Sequence, residues 1–158
     1  MKFTIEQIAI TPRDPERAIS FLRKIGAEEW ARDHVIARGE VFGKEGRNSA
    51  FLSFNYDLGA AKEFEVLHYA DGPNWMEGRE PAVSHLGMHV TEEELAKWRE
   101  FMESESIGVA QEVLTESHSN PVIAGKRWYN YVIFDTRSIL GVDLKFILRK
   151  DHGPLSES

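Results

Sequence analysis

The chain carries the same pattern of secondary-structure signals twice, once in each half. A short strand pattern over residues 5–10 precedes a helix signal over residues 14–26, and a strand pattern over residues 83–90 precedes a helix signal over residues 91–108. A repeat at half the length of the chain predicts two similar modules that pack as a pair. Function is then expected in the cleft that the two modules share.

Both helix signals have well-defined ends. Asp14 is an N-cap residue, and Pro15 follows at the first helical position. Gly26 can adopt the left-handed conformation that closes a helix. In the second helix, Thr91 and Glu94 have the spacing of a capping box. The first helix is expected to bury an apolar stripe at helical spacing, formed by Ala18, Ile19, Leu22 and Ile25.

Three further strand patterns follow each helix, and short loops separate them. They span residues 29–37, 49–54, 62–69, 110–116, 128–134 and 142–148. The order in each half is therefore βαβββ. The sequence predicts an α+β fold in which two βαβββ modules pair around a shared cleft.

The chain is interpreted as one domain over residues 1–150. Residues 71–81 are rich in turn-forming residues and are predicted to link a first module, residues 1–70, to a second module, residues 82–150. Residues 151–158 are predicted to form a flexible tail.

Strand alternation places polar and apolar side chains on opposite faces of each module. One parity is apolar and is expected to lie under the helices: Ile8, Ile10, Phe64, Val66, Leu86, Met88, Val90, Leu144, Phe146 and Leu148. The other parity is largely polar and includes Gln7, Glu63, Glu65, His85, His89, Asp143 and Lys145. The polar face lines the cleft if the modules curve towards each other, and otherwise it faces solvent.

The composition excludes several classes of function. The net charge of −7 and the scattered basic residues argue against nucleic acid as a partner. No apolar run is long enough to cross a membrane. The chain has no cysteine, which excludes disulfides and thiolate sites. A cytoplasmic protein that binds a small-molecule ligand is expected.

The strand at residues 5–10 with the helix start at residues 13–18, and the strand at residues 84–90, resemble the opening elements of vicinal oxygen chelate proteins. This superfamily includes glyoxalase I, bleomycin-resistance proteins and extradiol dioxygenases. The resemblance covers residues 3–149 and includes the doubled βαβββ order. It implies a glyoxalase-like fold and a homodimer, but a fold of this kind hosts many reactions.

Enzymes of this superfamily usually hold a divalent metal with residues from the first and last strands of each module. The resemblance assigns three of these positions to Gln7, Glu65 and His85, whose oxygen and nitrogen donors suit Zn, Fe, Mn or Mg. It assigns the fourth to Lys145, whose ammonium has no lone pair for a metal. A bulge in the last strand would bring Asp143 to this position instead.

Two functions stay open on this basis. In one, a metal-dependent lyase, isomerase or dioxygenase acts on a small oxygenated molecule; Glu65, His89 and Lys145 are its catalytic residues, and Arg127 and Lys145 contact the substrate. In the other, Lys145 pairs with Glu65, no metal binds, and the protein holds a small molecule as drug-sequestering proteins do. A structural subunit is a third option. The aromatic residues next to Arg127 are more typical of a core strand.

Overall fold

The computed structural model describes residues 1–59, 62–71 and 83–151. The strands in these ranges are β1 (Gln7–Ile10), β2 (Ala31–Val41), β3 (Lys44–Asn55), β4 (Glu63–Asp71), β5 (Val83–His89), β6 (Val109–Ser117), β7 (Arg127–Phe134) and β8 (Asp143–Asp151). The helices are α1 (Pro15–Lys24), α2 (Glu92–Ser104) and α3 (Arg137–Leu140). The predicted α+β class and the two βαβββ modules are confirmed, and α3 is an additional turn of helix before the last strand. No helix in the described ranges is long and apolar enough to cross a membrane.

The eight strands form a closed barrel in the order β1-β4-β3-β2-β6-β7-β8-β5. Each module supplies one half of the barrel. Two antiparallel seams join the halves, one between β1 and β5 and the other between β2 and β6. The predicted cleft between the modules is therefore the interior of the barrel.

The seam between β2 and β6 depends on Gly39, which pairs with Val113. Gly39 has a φ of +154°, and a Cβ atom built there would lie 2.1 Å from the backbone oxygen of Glu112. A larger residue could not let the two backbones approach so closely. Glycine at this position is thus part of how the barrel closes.

The hairpin between β2 and β3 is longer than the sequence pattern predicts. The strands extend to Val41 and Lys44, which pair across a turn at Phe42 and Gly43. Both turn residues have positive φ, as a tight hairpin turn requires. Gly39 therefore lies within β2, beyond the predicted end of this strand at residue 37. At the other end of the chain, β8 includes Asp151; residues 72–82 and 152–158, which hold most of the predicted linker and tail, lie outside the described residues.

The helices cover the outside of the barrel unequally. Beneath α2 lies a cluster of nine buried residues: Met88, Val90, Leu95, Trp98, Met102, Val132, Phe134, Phe146 and Leu148. In α1 the only buried residue is Ile19. The predicted stripe of α1 is wrong at Ile25, which is 60% exposed because the helix ends at Lys24 and Ile25 forms its C-cap.

Candidate ligand-binding site

Four polar side chains meet inside the barrel, one from each of the strands β1, β4, β5 and β8. They are Gln7, Glu65, His85 and Lys145, and each is at most 3% exposed. The β1–β5 seam is the reason they converge, because each of its strands pairs in parallel with the last strand of its own module. We call these four residues the polar quartet.

The ammonium of Lys145 contacts two other members of the polar quartet, Gln7 and Glu65. Its Nζ donates a hydrogen bond to Gln7 Oε1 at 3.2 Å and lies 3.8 Å from Glu65 Oε2. The same Nζ is 3.9 Å from the centre of the Tyr131 ring, which is a cation–π contact. The charge of Lys145 is therefore engaged by one carboxylate, one amide oxygen and one aromatic face.

His85 is neutral and carries its proton on Nε2. This nitrogen lies 2.7 Å from Gln7 Oε1, which is an acceptor because the Gln7 amide nitrogen donates to Glu63 Oε1 at 2.6 Å. The other ring nitrogen, Nδ1, faces the Ser84 hydroxyl at 3.3 Å. Burial and the nearby Lys145 charge lower the pKa of His85 to about 4.

Glu65 is ionised but poorly hydrogen-bonded. Burial raises the pKa of Glu65, and the Lys145 charge together with the His85 contact lowers it by more, so that its pKa lies below the usual value. His85 Nε2 is 3.3 Å from Glu65 Oε2. In the described part of the chain, neither carboxylate oxygen has a partner with hydrogen-bond geometry.

Gly87 makes room for the polar quartet. A Cβ atom on Gly87 would lie 3.0 Å from Gln7 Cβ and 3.2 Å from Gln7 Oε1. Gly87 pairs with both Gln7 and Lys145 across its two neighbouring strands. The missing side chain lets the Gln7 amide lie between His85 and Lys145.

β8 pairs with β5 and β7 without a bulge, so Lys145 keeps the fourth position of the quartet. Asp143 also points inwards and is fully buried. Asp143 lies two residues before Lys145 in β8 and pairs with His85 of β5. Its Oδ2 is 3.4 Å from Arg137 Nη2. Asp143 therefore does not replace Lys145.

The polar quartet does not fit a divalent metal. The ammonium of Lys145 occupies the side of Gln7 and Glu65 that a cation would approach, and it would repel a dication. The His85 nitrogen that faces the quartet is hydrogen-bonded to Gln7 Oε1 at 2.7 Å and would have to give up this bond to hold a metal. The Glu65 oxygens are the one element that suits a metal.

A cavity of about 340 Å³ opens at one end of the barrel, beside the quartet. Its walls include Gln7, Asp33, Glu63, His89, Arg127 and Tyr129. His89 Nε2 lies 3.5 Å from Glu63 Oε1, and Arg127 Nε donates to Asp151 Oδ1 at 2.8 Å. We call this space the mouth cavity. A deeper space of about 30 Å³ is lined by Glu65, His85, Lys145, Thr115 and Tyr131.

The structure thus divides the six predicted site residues between two levels. Glu65, His85 and Lys145 line the deep space, His89 and Arg127 line the mouth cavity, and Gln7 connects the two groups.

Sequence reasoning missed Asp33 and Thr115, because each is a single polar residue in a strand pattern and has no conspicuous neighbour. It also assigned Tyr129 and Tyr131 to the core, whereas both rings line the mouth cavity.

No family model matches the chain, and no curated protein matches it. Solved structures do. A hypothetical protein from Bacillus halodurans C-125 matches with a TM-score of 0.54 and 11% identity, over 96% of this chain and 97% of that chain. Methylmalonyl-CoA epimerase from Mycobacterium tuberculosis matches with a TM-score of 0.51 and 12% identity, over 98% of this chain and 93% of that chain.

The chain has the vicinal oxygen chelate fold. The resemblance seen in the strand openings is confirmed at the level of the fold.

Proposed function

We propose that the protein binds a small molecule in the mouth cavity and needs no resident metal to do so. The observation that carries the proposal is the position of the Lys145 ammonium, between Gln7 Oε1 and Glu65 Oε2. A buried carboxylate needs a positive partner, and an internal lysine supplies it here without a bound ion. The mouth cavity has a volume typical of small-molecule sites.

Metal titration tests this proposal. The wild-type protein is dialysed against Co²⁺, and its metal content and visible absorption are measured. We expect less than about one tenth of an equivalent of bound metal, because the ammonium excludes the dication. The variant Lys145→Glu adds a fourth ligand in place of the ammonium and is expected to bind about one equivalent.

The matched control is Lys145→Met, which removes the ammonium without adding a ligand. It separates the effect of the lost charge from that of the new carboxylate. One equivalent of Co²⁺ in the wild type, lost in Glu65→Gln, would overturn the metal-free proposal.

A metal-dependent lyase, isomerase or dioxygenase is the second candidate function. Support for it comes from Glu65, whose two buried oxygens lack hydrogen-bond partners within the described ranges. In that case Gln7, Glu65 and His85 would bind the metal after Lys145 turned away, and Lys145, His89 and Arg127 would face the substrate. The same Co²⁺ titration distinguishes the two candidates, because only this one requires metal in the wild type.

We also propose that the protein is a homodimer, as the resemblance implies. Light scattering on the eluting peak of a size-exclusion column would show about twice the chain mass of 18.1 kDa. A mass of one chain at micromolar concentration would contradict this.

A further inference from the structure

The two arginines that line the mouth cavity both have carboxylate partners. Arg32 donates two hydrogen bonds to Glu16, with Nη1 at 2.7 Å from Oε1 and Nη2 at 3.1 Å from Oε2. Arg127 donates to Asp151 at 2.8 Å. Each guanidinium therefore has a carboxylate partner. Arg127 shares Asp151 with Arg149, whose Nε lies 3.0 and 3.1 Å from the two carboxylate oxygens.

Two carboxylates at the mouth cavity have no such partner. Asp33 is 8% exposed and accepts hydrogen bonds from two neutral hydroxyls, those of Ser117 at 2.9 Å and Ser119 at 3.0 Å. Glu63 accepts from the neutral Gln7 amide at 2.6 Å. Within the described residues, neither carboxylate has an arginine or lysine partner. His89 is the basic side chain beside Glu63, with its Nε2 3.5 Å from Glu63 Oε1.

The side of the mouth cavity formed by Asp33 and Glu63 therefore carries negative charge that no guanidinium or ammonium pairs with in the described part of the chain. Tyr131 responds to it: burial raises the pKa of this phenol well above its usual value, and the charges of Glu65, Glu63 and Asp33 raise it further. A negative field in a partly enclosed space attracts cations and disfavours anions.

The walls of the mouth cavity are aromatic on the side of β7. The rings of Tyr129 and Tyr131 are stacked, with centroids 5.7 Å apart and an interplanar angle of 23°. Phe54 and Tyr56 add aromatic surface from β3 and the residue after it. Aromatic faces bind flat rings by stacking and bind cations through their negative quadrupole.

The inner end of the cavity offers oxygens that lack donors. Thr115 lines both the mouth cavity and the deep space, and its buried hydroxyl has no hydrogen-bond partner in the part of the chain that the structure describes. The Glu65 oxygens lie in the same deep space. A ligand group that reaches this end is favoured if it carries N–H or O–H donors.

We infer that the ligand of the mouth cavity is a flat aromatic cation with hydrogen-bond donors at its leading edge. This inference rests on the proposed function, namely that the mouth cavity binds a small molecule. The carboxylates Asp33 and Glu63, which lack an arginine or lysine partner, select the charge, and the aromatic side chains of Phe54, Tyr56 and Tyr129 select the flat shape.

Two fluorescent probes of similar shape and opposite charge test the inference. Proflavine is a planar three-ring cation with amino donors, and anthracene-2-sulfonate is a planar three-ring anion. Each is titrated with the wild-type protein at moderate salt concentration, and the change in fluorescence gives a dissociation constant. We expect proflavine to bind at least about a hundredfold more tightly than the sulfonate.

Isosteric variants then locate the binding. Asp33→Asn and Glu63→Gln keep the hydrogen-bonding shape and remove one charge each, and each is expected to weaken proflavine about tenfold without weakening the sulfonate. Circular dichroism confirms that both variants fold. Glu93→Gln on the exposed face of α2 removes the same charge at a distance and serves as the matched control.

The outcomes are distinct. Equal or tighter binding of the sulfonate overturns the cationic ligand but leaves the small-molecule site standing. Proflavine binding that Glu93→Gln weakens as much as Asp33→Asn would show adsorption to the acidic surface, and this also overturns the inference. If neither probe binds, the proposed function fails as well.

Discussion

The two modules share one topology but carry opposite charges at equivalent positions. The first strands contribute Gln7 and His85, two neutral groups that hydrogen-bond to each other at 2.7 Å. The last strands contribute Glu65 and Lys145, a carboxylate and an ammonium 3.8 Å apart. Two carboxylates at these positions would repel each other unless a cation lay between them. A repeat can thus preserve the backbone while an internal ammonium, in place of a second carboxylate, balances the charge of the shared interior.

The modules also differ in how firmly each holds its helix. α2 buries Leu95, Trp98 and Met102 in a large cluster, whereas α1 buries Ile19. We therefore expect the second module to contribute more of the stability.

The largest expected effect comes from breaking the opposite-charge pair between the modules. Lys145→Met leaves Glu65 as a buried charge without a cation and should lower the free energy of unfolding by about 4 kcal/mol. Urea denaturation at pH 7 measures this loss. The double variant Glu65→Gln/Lys145→Met removes both charges and should recover most of it. If the single and double variants are equally unstable, the pair is not what Lys145 contributes.

A smaller effect on stability is expected from replacing His85 by Gln, which gives β5 the same residue that β1 has at position 7. His85 has a pKa of about 4 in the folded protein, below the ordinary value of 6.5, so the unfolded chain binds more protons between these two pH values. The stability contributed by neutral His85 is therefore complete above pH 6.5 and is lost as the pH falls towards 4. The loss amounts to about 3 kcal/mol.

His85→Gln removes this titration and keeps a neutral hydrogen-bonding side chain. Urea midpoints measured from pH 7.5 to 4.5 should fall less steeply in the variant than in the wild type. Parallel pH profiles would show that His85 does not titrate with the expected shift. Glu65, with its lowered pKa, adds a loss of stability at still lower pH in both proteins.

The smallest expected effect is the difference in lost stability between a truncated core residue in α2 and one in α1. Met102→Ala and Ile19→Ala each truncate a side chain that is 1% exposed. We expect losses of about 3 kcal/mol for Met102 and about 2 kcal/mol for Ile19, because the surroundings of α1 are more open and can relax around the cavity. Chemical denaturation of both variants in one buffer gives the comparison. An equal or larger loss for Ile19→Ala would show that α1 is held as firmly as α2.

Much of the fold could be predicted from local patterns. Strand alternation separated Glu65 and Lys145 from the apolar face, and cap residues located both helices. Closure of the barrel could not be predicted, because it depends on the long-range pairing of β2 with β6, and Gly39 looks like a strand end when read locally. Asp33 was missed for a related reason: its role arises only where Ser117 and Ser119 come from the other module to meet it.

Closure of the barrel also limits how this protein can meet other chains. Every described strand pairs with a neighbour on both sides over part of its length, which leaves shorter stretches of backbone open to a partner strand than the edge of an open sheet would. The outer wall of the barrel, with the side chains of the helices and strands, is therefore the larger surface on which another chain could pack. A side chain at Gly39 would clash with the backbone of β6, and opening this seam would leave the paired edges of β2 and β6 without partners.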